Sequence, residues 1–356
     1  MKKINLPLNP NSPELDQQIR QEGEFLLKSF GSFGFVRNSL FDKTLISYEE
    51  NYQNDQSSSI FFQQHMHEVY NIIKSARPEG SILFEVGCGK GTFLEIVKQD
   101  NYFIYHGVDA SYEGSDPNIE KRYLTSKDRF YADIIVLRHT LEHIESPYSF
   151  LLLLKNVFNS SALIFIEVPL FDWIEDNKVL FDFTYEHVNY FSKKSLLSLF
   201  TNTISHGSFF GGQYQYCLAN LNSINDREWC DFHKEDRWKP YFMSQFTSSF
   251  KESIKKIKDE DRIWIWGAAT KGVLFLKHLS ELSPSTFSNI VGVIDSNPSK
   301  QNKYTPSTLL MINSPEYFYQ NCKHNDTVLV MNPNYLEEIT NSIKEGTIHS
   351  IYIEKI

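Results

Sequence analysis

The stretch Ser81-Ile82-Leu83-Phe84-Glu85-Val86-Gly87-Cys88-Gly89-Lys90-Gly91-Thr92 decides the fold. Its first half is a short apolar run, read as a buried parallel strand. Three glycines at alternate positions follow, so the backbone can turn sharply and approach a ligand with no Cβ in the way. A helix is expected from Thr92 to Gln99, carrying Phe93, Leu94, Ile96 and Val97, with free N–H groups at its start. Pyrophosphate sites use the spacing G-x-G-x-x-G. Gly87, Gly89 and Gly91 lack the last interval, and Glu85 would repel a pyrophosphate while suiting a ligand that carries an ammonium.

The same alternation extends outward. Upstream, residues 59–73 place Ile60, Phe61, Val69, Ile72 and Ile73 at helical spacing, ended by Arg77-Pro78-Glu79-Gly80. Downstream, Phe103 to Val108 reads as a strand closing on Asp109, a distance suited to a carboxylate that accepts from ribose hydroxyls. Ala132 to Leu137 and Ala162 to Val168 are further strands, with a helix around Tyr148 to Phe158 between them. Strands alternating with helices imply a parallel doubly wound sheet. After an aromatic and acidic insertion from Leu170 to Tyr190, Ser192 is placed to cap a helix and Phe209 to Asn220 reads as strand.

The pattern then starts over. Arg262 to Trp266 is a strand, Gly267-Ala268-Ala269-Thr270-Lys271-Gly272 a turn and Val273 to Leu282 a helix; Ile290 to Ile294 ends at Asp295, and Thr327 to Met331 is another strand. The expected units are therefore a helical cover over residues 1–60, an α/β domain over 61–225, a helical connector over 226–260 and a second α/β domain over 261–356.

A net charge of −9 argues against a general phosphate-backbone binder, so no nucleic-acid partner is expected. No signal-peptide h-region opens the chain and no run is long enough to span a bilayer, which makes the cytoplasm the expected location. Cys88, Cys217, Cys230 and Cys322 are isolated from one another; no zinc knuckle, metal site or disulfide framework is expected.

Phe84 to Gly91, His106-Gly107-Val108-Asp109 and the run from Ala132-Asp133 to Leu141-Glu142-His143-Ile144 resemble the first, second and fourth motifs of class I S-adenosylmethionine (SAM)-dependent methyltransferases. The resemblance implies an α/β fold, a doubly wound class I methyltransferase domain followed by a second, smaller Rossmann-like domain. It also implies SAM as cofactor, held by Glu85, Gly87, Cys88, Gly89, Gly91, Asp109 and His139. A closer resemblance covers most of the chain. Trp266 to Gly272, Asp295-Ser296-Asn297-Pro298-Ser299-Lys300-Gln301-Asn302 and Tyr304-Thr305-Pro306 look like the C-terminal domain of bacterial sugar C-methyltransferases, and Phe181 to Ser192 resembles their Tyr-x-Glu-His segment with one residue fewer. Those enzymes methylate a carbon of a 4-keto-deoxy sugar carried on a nucleoside diphosphate. They usually begin with a cysteine-rich zinc module, whose cysteine pattern this sequence does not show.

C-methylation beside a ketone requires removal of an α-proton, which suits a histidine near neutral pH. His187 is the candidate base, with Glu186 or Tyr185 binding substrate, His143 at the end of the fourth strand and Tyr52 covering the site. The expected function is methyl transfer from SAM to a nucleotide-linked keto-deoxy sugar or surface-glycan precursor. The alternatives are an O- or N-methyltransferase of another small metabolite and a non-catalytic SAM- or nucleotide-binding partner protein. The oligomeric state is left open.

Overall fold

The computed structural model describes residues 3–18, 21–30, 34–46, 56, 59–225, 238–257 and 262–356. Four short strands come first: β1 (Ile4–Pro7), β2 (Glu22–Phe25), β3 (Leu27–Phe30) and β4 (Phe35–Asn38). The expected helical cover is thus a set of strands. Gly23, Phe25 and Leu27 alternate inward with period two, and Pro7, Pro10 and Pro13 oppose a helix.

Helix α1 (Ile60–Ala76) is capped by Ser59, whose hydroxyl accepts from Phe62 N–H, and leads into the first α/β unit. That unit runs β5 (Ile82–Val86), α2 (Thr92–Asp100), β6 (Ile104–Val108), β7 (Ile119–Glu120), β8 (Ile134–Arg138), α3 (Pro147–Val157) and β9 (Leu163–Pro169). The insertion supplies α4 (Phe171–Asn177) and β10 (Asn189–Tyr190). Then come α5 (Lys193–Leu197), β11 (Ser205–Phe209) and β12 (Tyr214–Asn220). The seven strands lie in the order β11-β12-β9-β8-β5-β6-β7, parallel except for β12. Both faces are buried. Phe84, Ile135, Leu137, Ile164 and Ile166 enter one cluster, while Leu83, Ile134, Val136, Leu163 and Phe165 alternate into the other.

The connector differs from expectation as well. Within its described part, β13 (Trp238–Pro240) pairs with β3 before α6 (Ser244–Ile254) begins, completing the sheet β10-β4-β3-β13. Trp238 is buried against Phe30, which favours an edge strand over a polar helix here.

The second unit comprises β14 (Ile263–Trp266), α7 (Thr270–Leu282), α8 (Pro284–Phe287), β15 (Ile290–Ile294), β16 (Ile312–Asn313), α9 (Pro315–Asn321), β17 (Thr327–Val330), α10 (Leu336–Gly346) and β18 (Tyr352–Lys355). Its strands are all parallel in the order β16-β15-β14-β17-β18. One face packs onto the N-terminal strands and the insertion through Ile263, Ile265, Val293 and Leu329. In both units the strand order reverses beside the first strand, and there the carboxyl ends open a crevice. No described helix is long and apolar enough to cross a membrane.

Candidate active site

The loop after β5 turns through three left-handed glycines, Gly87 (φ +78°), Gly89 (φ +55°) and Gly91 (φ +80°). A Cβ on Gly87 would come within 2.4 Å of Thr140 Oγ1, whereas one on Gly89 would meet open space. The loop is thus pressed against the end of β8 at one glycine and presents bare backbone at the next. Gly89 N–H donates to Asp109 Oδ2 (2.8 Å), and Ser111 N–H and hydroxyl donate to Oδ1 (2.7 and 2.6 Å). Asp109 therefore fastens β6 to the glycine loop, with lone pairs left for a ligand's hydroxyl.

Two expected cofactor contacts take a different form. Cys88 points into the cluster under the sheet and its thiol is pushed far up by burial, so only its backbone can face a ligand. Glu85 is buried within β5, where desolvation first, and then Asp109 and Glu167, lift it to about 8 against the opposing pull of Arg138. Burial there raises the cost of carrying the negative charge expected for an ammonium partner.

Behind the loop lies a charge network that the sequence reading missed. Glu167 on β9 is fully buried, 2.6 Å from His65 Nε2 on α1 and 2.9 Å from Arg138 Nε on β8. Burial alone would raise its pKa, but Arg138, His65 and His139 hold it well below the ordinary carboxylate range. A lone acid inside Leu163–Val168 was a legible signal, because a buried charge must be paired.

The carboxyl ends of both sheets face each other across a cleft of about 260 Å³. From the first unit it is lined by His139, Glu142, His143, Glu186 and His187; from the second by Gly267, Ala269, Thr270, Asp295 and Lys300. His139 has φ +49°, stacks edge-on against Tyr214 at 4.5 Å, and lies 3.5 Å from Glu142 Oε1. Glu142 is 1% exposed, and neither of its oxygens has a hydrogen-bond partner among the described residues. His143 Nδ1 is 3.0 Å from the Glu186 carbonyl, an acceptor only, so this nitrogen carries the proton. Its ring meets that of His187 edge-on at 4.8 Å. Burial, then His143, His139 and Lys271, hold His187 well below its usual pKa, leaving it neutral and able to accept a proton.

Of the residues expected to act together, Glu186, His187, His143 and His139 meet in this cleft. Tyr185 does not. It is fully buried against Gly23 and Phe41, and its hydroxyl accepts from Asp42 N–H (2.9 Å), so its ring is a packing element. Tyr52 lies outside the described residues. Lys271 is ion-paired with Asp182 and ties the insertion to α7. Donor atoms of Glu142, His143 and His187 fall within 4.8 Å of one another, as do those of His65, His139 and Glu167. The second group is already engaged in the buried network; the first has the spacing to admit a cation.

Residues 62–203 match the family model of a methyltransferase domain, and residues 231–349 that of a C-methyltransferase C-terminal domain. No curated protein matches the chain. A SAM-dependent methyltransferase from Clostridium acetobutylicum is similar at 10% identity and TM-score 0.37, covering 46% of this chain and 94% of its own. A possible histamine N-methyltransferase from Thermotoga maritima gives 15% identity and TM-score 0.36 over 46% and 92%. An Aquifex aeolicus SAM-dependent methyltransferase gives 15% and 0.34 over 48% and 100%. With two methyltransferase models matched in succession, on a doubly wound sheet whose first crossover carries the glycine loop, the chain is a SAM-dependent methyltransferase of class I fold.

Proposed function

We propose that the acceptor is a nucleotide-linked keto-deoxy sugar or a related glycan precursor, bound in the cleft and methylated on carbon. The observation that carries this reading is the cleft itself. His187, held neutral by burial and with its ring edge-on to that of His143, faces a lysine and a carboxylate from the second unit, over a domain whose match is to C-methyltransferases. The residues expected to hold SAM are Gly87, Gly89, Gly91 and Asp109, with Glu85 and the Cys88 backbone behind them and His139 toward the cleft. The open space at Gly89 and the spare lone pairs of Asp109 fit a nucleoside cofactor. Bound there, SAM supplies an electrophilic methyl group.

His187 takes the proton from the carbon beside the ketone, breaking a C–H bond and leaving an enolate whose carbon would accept the methyl group that SAM would supply. The Glu186 carbonyl fixes the ring of His143, and Lys300 brings a cation to the opposite wall. Most of the rate enhancement is then positioning, with a general-base contribution of about 10²–10⁴-fold.

The test is incubation with isotopically labelled SAM and a panel of nucleotide sugars, followed by mass spectrometry of the products. Wash-out of deuterium from the α-carbon of a 4-keto sugar nucleotide, without SAM, is expected for C-methylation. A labelled methyl ester, ether or amine with no wash-out would replace this reading with O- or N-methylation.

A further inference from the structure

One buried group on the cleft wall has no part in the reaction as described so far. Glu142 sits in the turn after β8, faces the cleft, and leaves both carboxyl oxygens without a hydrogen bond among the described residues. His139 Nδ1 stands 3.5 Å from Oε1, beyond ordinary hydrogen-bond length. A buried acceptor left unmade costs stability. Such a cost is met where the partner exists only while the enzyme works.

The neighbours show what that partner is. A carboxyl oxygen of Glu142 and ring nitrogens of His143 and His187 lie within 4.8 Å of one another. Two hydrogen bonds hold the segment of His187 against the turn of Glu142: His143 Nδ1 to the Glu186 carbonyl (3.0 Å) and Asn189 Nδ2 to the Ile144 carbonyl (2.6 Å). Burial, then His143, His139 and Lys271, keep a charge off His187 in the resting site. Lys271 is itself paired with Asp182. When the C–H bond beside the ketone breaks, its electron pair stays with the substrate as the enolate and its proton goes to His187. A cation then appears in a buried site whose basic groups oppose it, and the carboxyl group of Glu142 is within reach.

We propose that Glu142 is a positioning residue for proton abstraction: its carboxylate takes a hydrogen bond from His187 once that ring is protonated, so that imidazolium and enolate form together. This rests on the reading of His187 as the base. Base and counter-charge come from separate segments, the insertion before β10 and the turn after β8, and meet only when the insertion packs over the strand ends.

The test is deuterium wash-out, with the full chain and no SAM, from 4-keto-deoxy sugars on UDP, TDP and GDP labelled beside the ketone. Glu142→Gln keeps the shape and removes the charge. It should slow wash-out and the kcat of methyl transfer at least about tenfold, with KM for the sugar and SAM affinity held within about twofold. It should also melt no lower than the wild type, because an amide is cheaper to bury than a carboxylate. Glu142→Asp restores the charge and should recover part of the rate. A purely structural side chain would do the opposite, losing melting temperature and keeping kcat. Unchanged wash-out in Glu142→Gln, or equal losses in the Gln and Asp variants, overturns the proposal. Where Glu142→Gln fails to fold, Glu142→Asp against Glu142→Asn makes the same comparison of charge. His187→Ala tells the two readings apart. Wash-out lost there but kept in Glu142→Gln removes the role of Glu142 alone; wash-out kept in His187→Ala, or absent from the wild type, removes the base and this role together.

Discussion

The two α/β units share a frame and differ in what their strand ends carry. Taking β5 and β14 as equivalent, the order β7-β6-β5-β8-β9 maps onto β16-β15-β14-β17-β18. After β8 comes His139-Thr140-Leu141-Glu142-His143; after β17 comes Met331-Asn332-Pro333-Asn334-Tyr335, with no group that titrates near neutral pH. The first loop turns through three left-handed glycines. The second has one, Gly267, and its other glycine, Gly272, lies within α7, where a Cβ would fall 1.8 Å from the Gly267 carbonyl oxygen. A doubled fold therefore has not meant doubled chemistry. The imidazoles of the shared cleft come from the first unit, and the second lines it with Lys300 and Asp295.

The largest expected effect tests that asymmetry directly. His187→Ala should lower methyl transfer by about 10²–10⁴-fold with SAM affinity unchanged by calorimetry. Full activity in this variant would place the base elsewhere and remove the first unit's claim to it.

The second unit should instead show itself in stability. His278 on α7 is buried, its Nε2 has no hydrogen-bond partner among the described residues, and desolvation with help from Lys277 lowers its pKa from 6.5 to about 4. As the pH falls below 6.5 the unfolded chain takes up this proton first. The stability is therefore complete above 6.5 and is lost progressively down to about 4, by about 3 kcal/mol. Urea unfolding at pH 7.5 and 5 measures this loss, and His278→Gln should shrink it; an identical pH dependence in that variant would exclude His278 as its source.

A smaller effect separates the loops. Gly87→Ala meets both a left-handed backbone and Thr140 Oγ1, so a loss of about 1–3 kcal/mol and weaker SAM binding are expected. Gly267→Ala carries the backbone strain at φ +113° but meets its nearest neighbour, Met331 Cβ, at 3.6 Å. It should cost less and leave SAM affinity intact. Equal losses in melting temperature would mean that the two turns are constrained alike.

The central strands of both sheets were legible because an apolar run between glycines, buried on both faces, needs no knowledge of its neighbours. The N-terminal strands were not. Their alternation spans few residues, and beyond their own hairpin β4 and β3 gain partners from β10 and β13, some 150 to 210 positions away. The candidate site divides in the same way. Glycine spacing and Asp109 are local features. The protonation of Glu85 depends on Arg138, Asp109 and Glu167 from other strands, which spacing does not encode. Tyr185 was misread because adjacency to Glu186 and His187 says nothing about which side of the chain a ring takes; Gly23, far upstream, makes its pocket. Lys300 became visible only when both units closed on one cleft.

The smallest expected effect is the absence of one. Glu142, His143 and His187 could take a divalent cation through two imidazoles and a carboxylate, a donor set that suits zinc. A base at His187 requires that nitrogen to be free for a proton. Prolonged dialysis against EDTA should therefore change the rate of methyl transfer by less than about twofold. Loss of activity restored by zinc or manganese would turn His187 from base to ligand. The first unit would still differ from its repeat, but by a metal rather than by a proton acceptor, and Glu142→Gln would then abolish metal uptake as measured by elemental analysis.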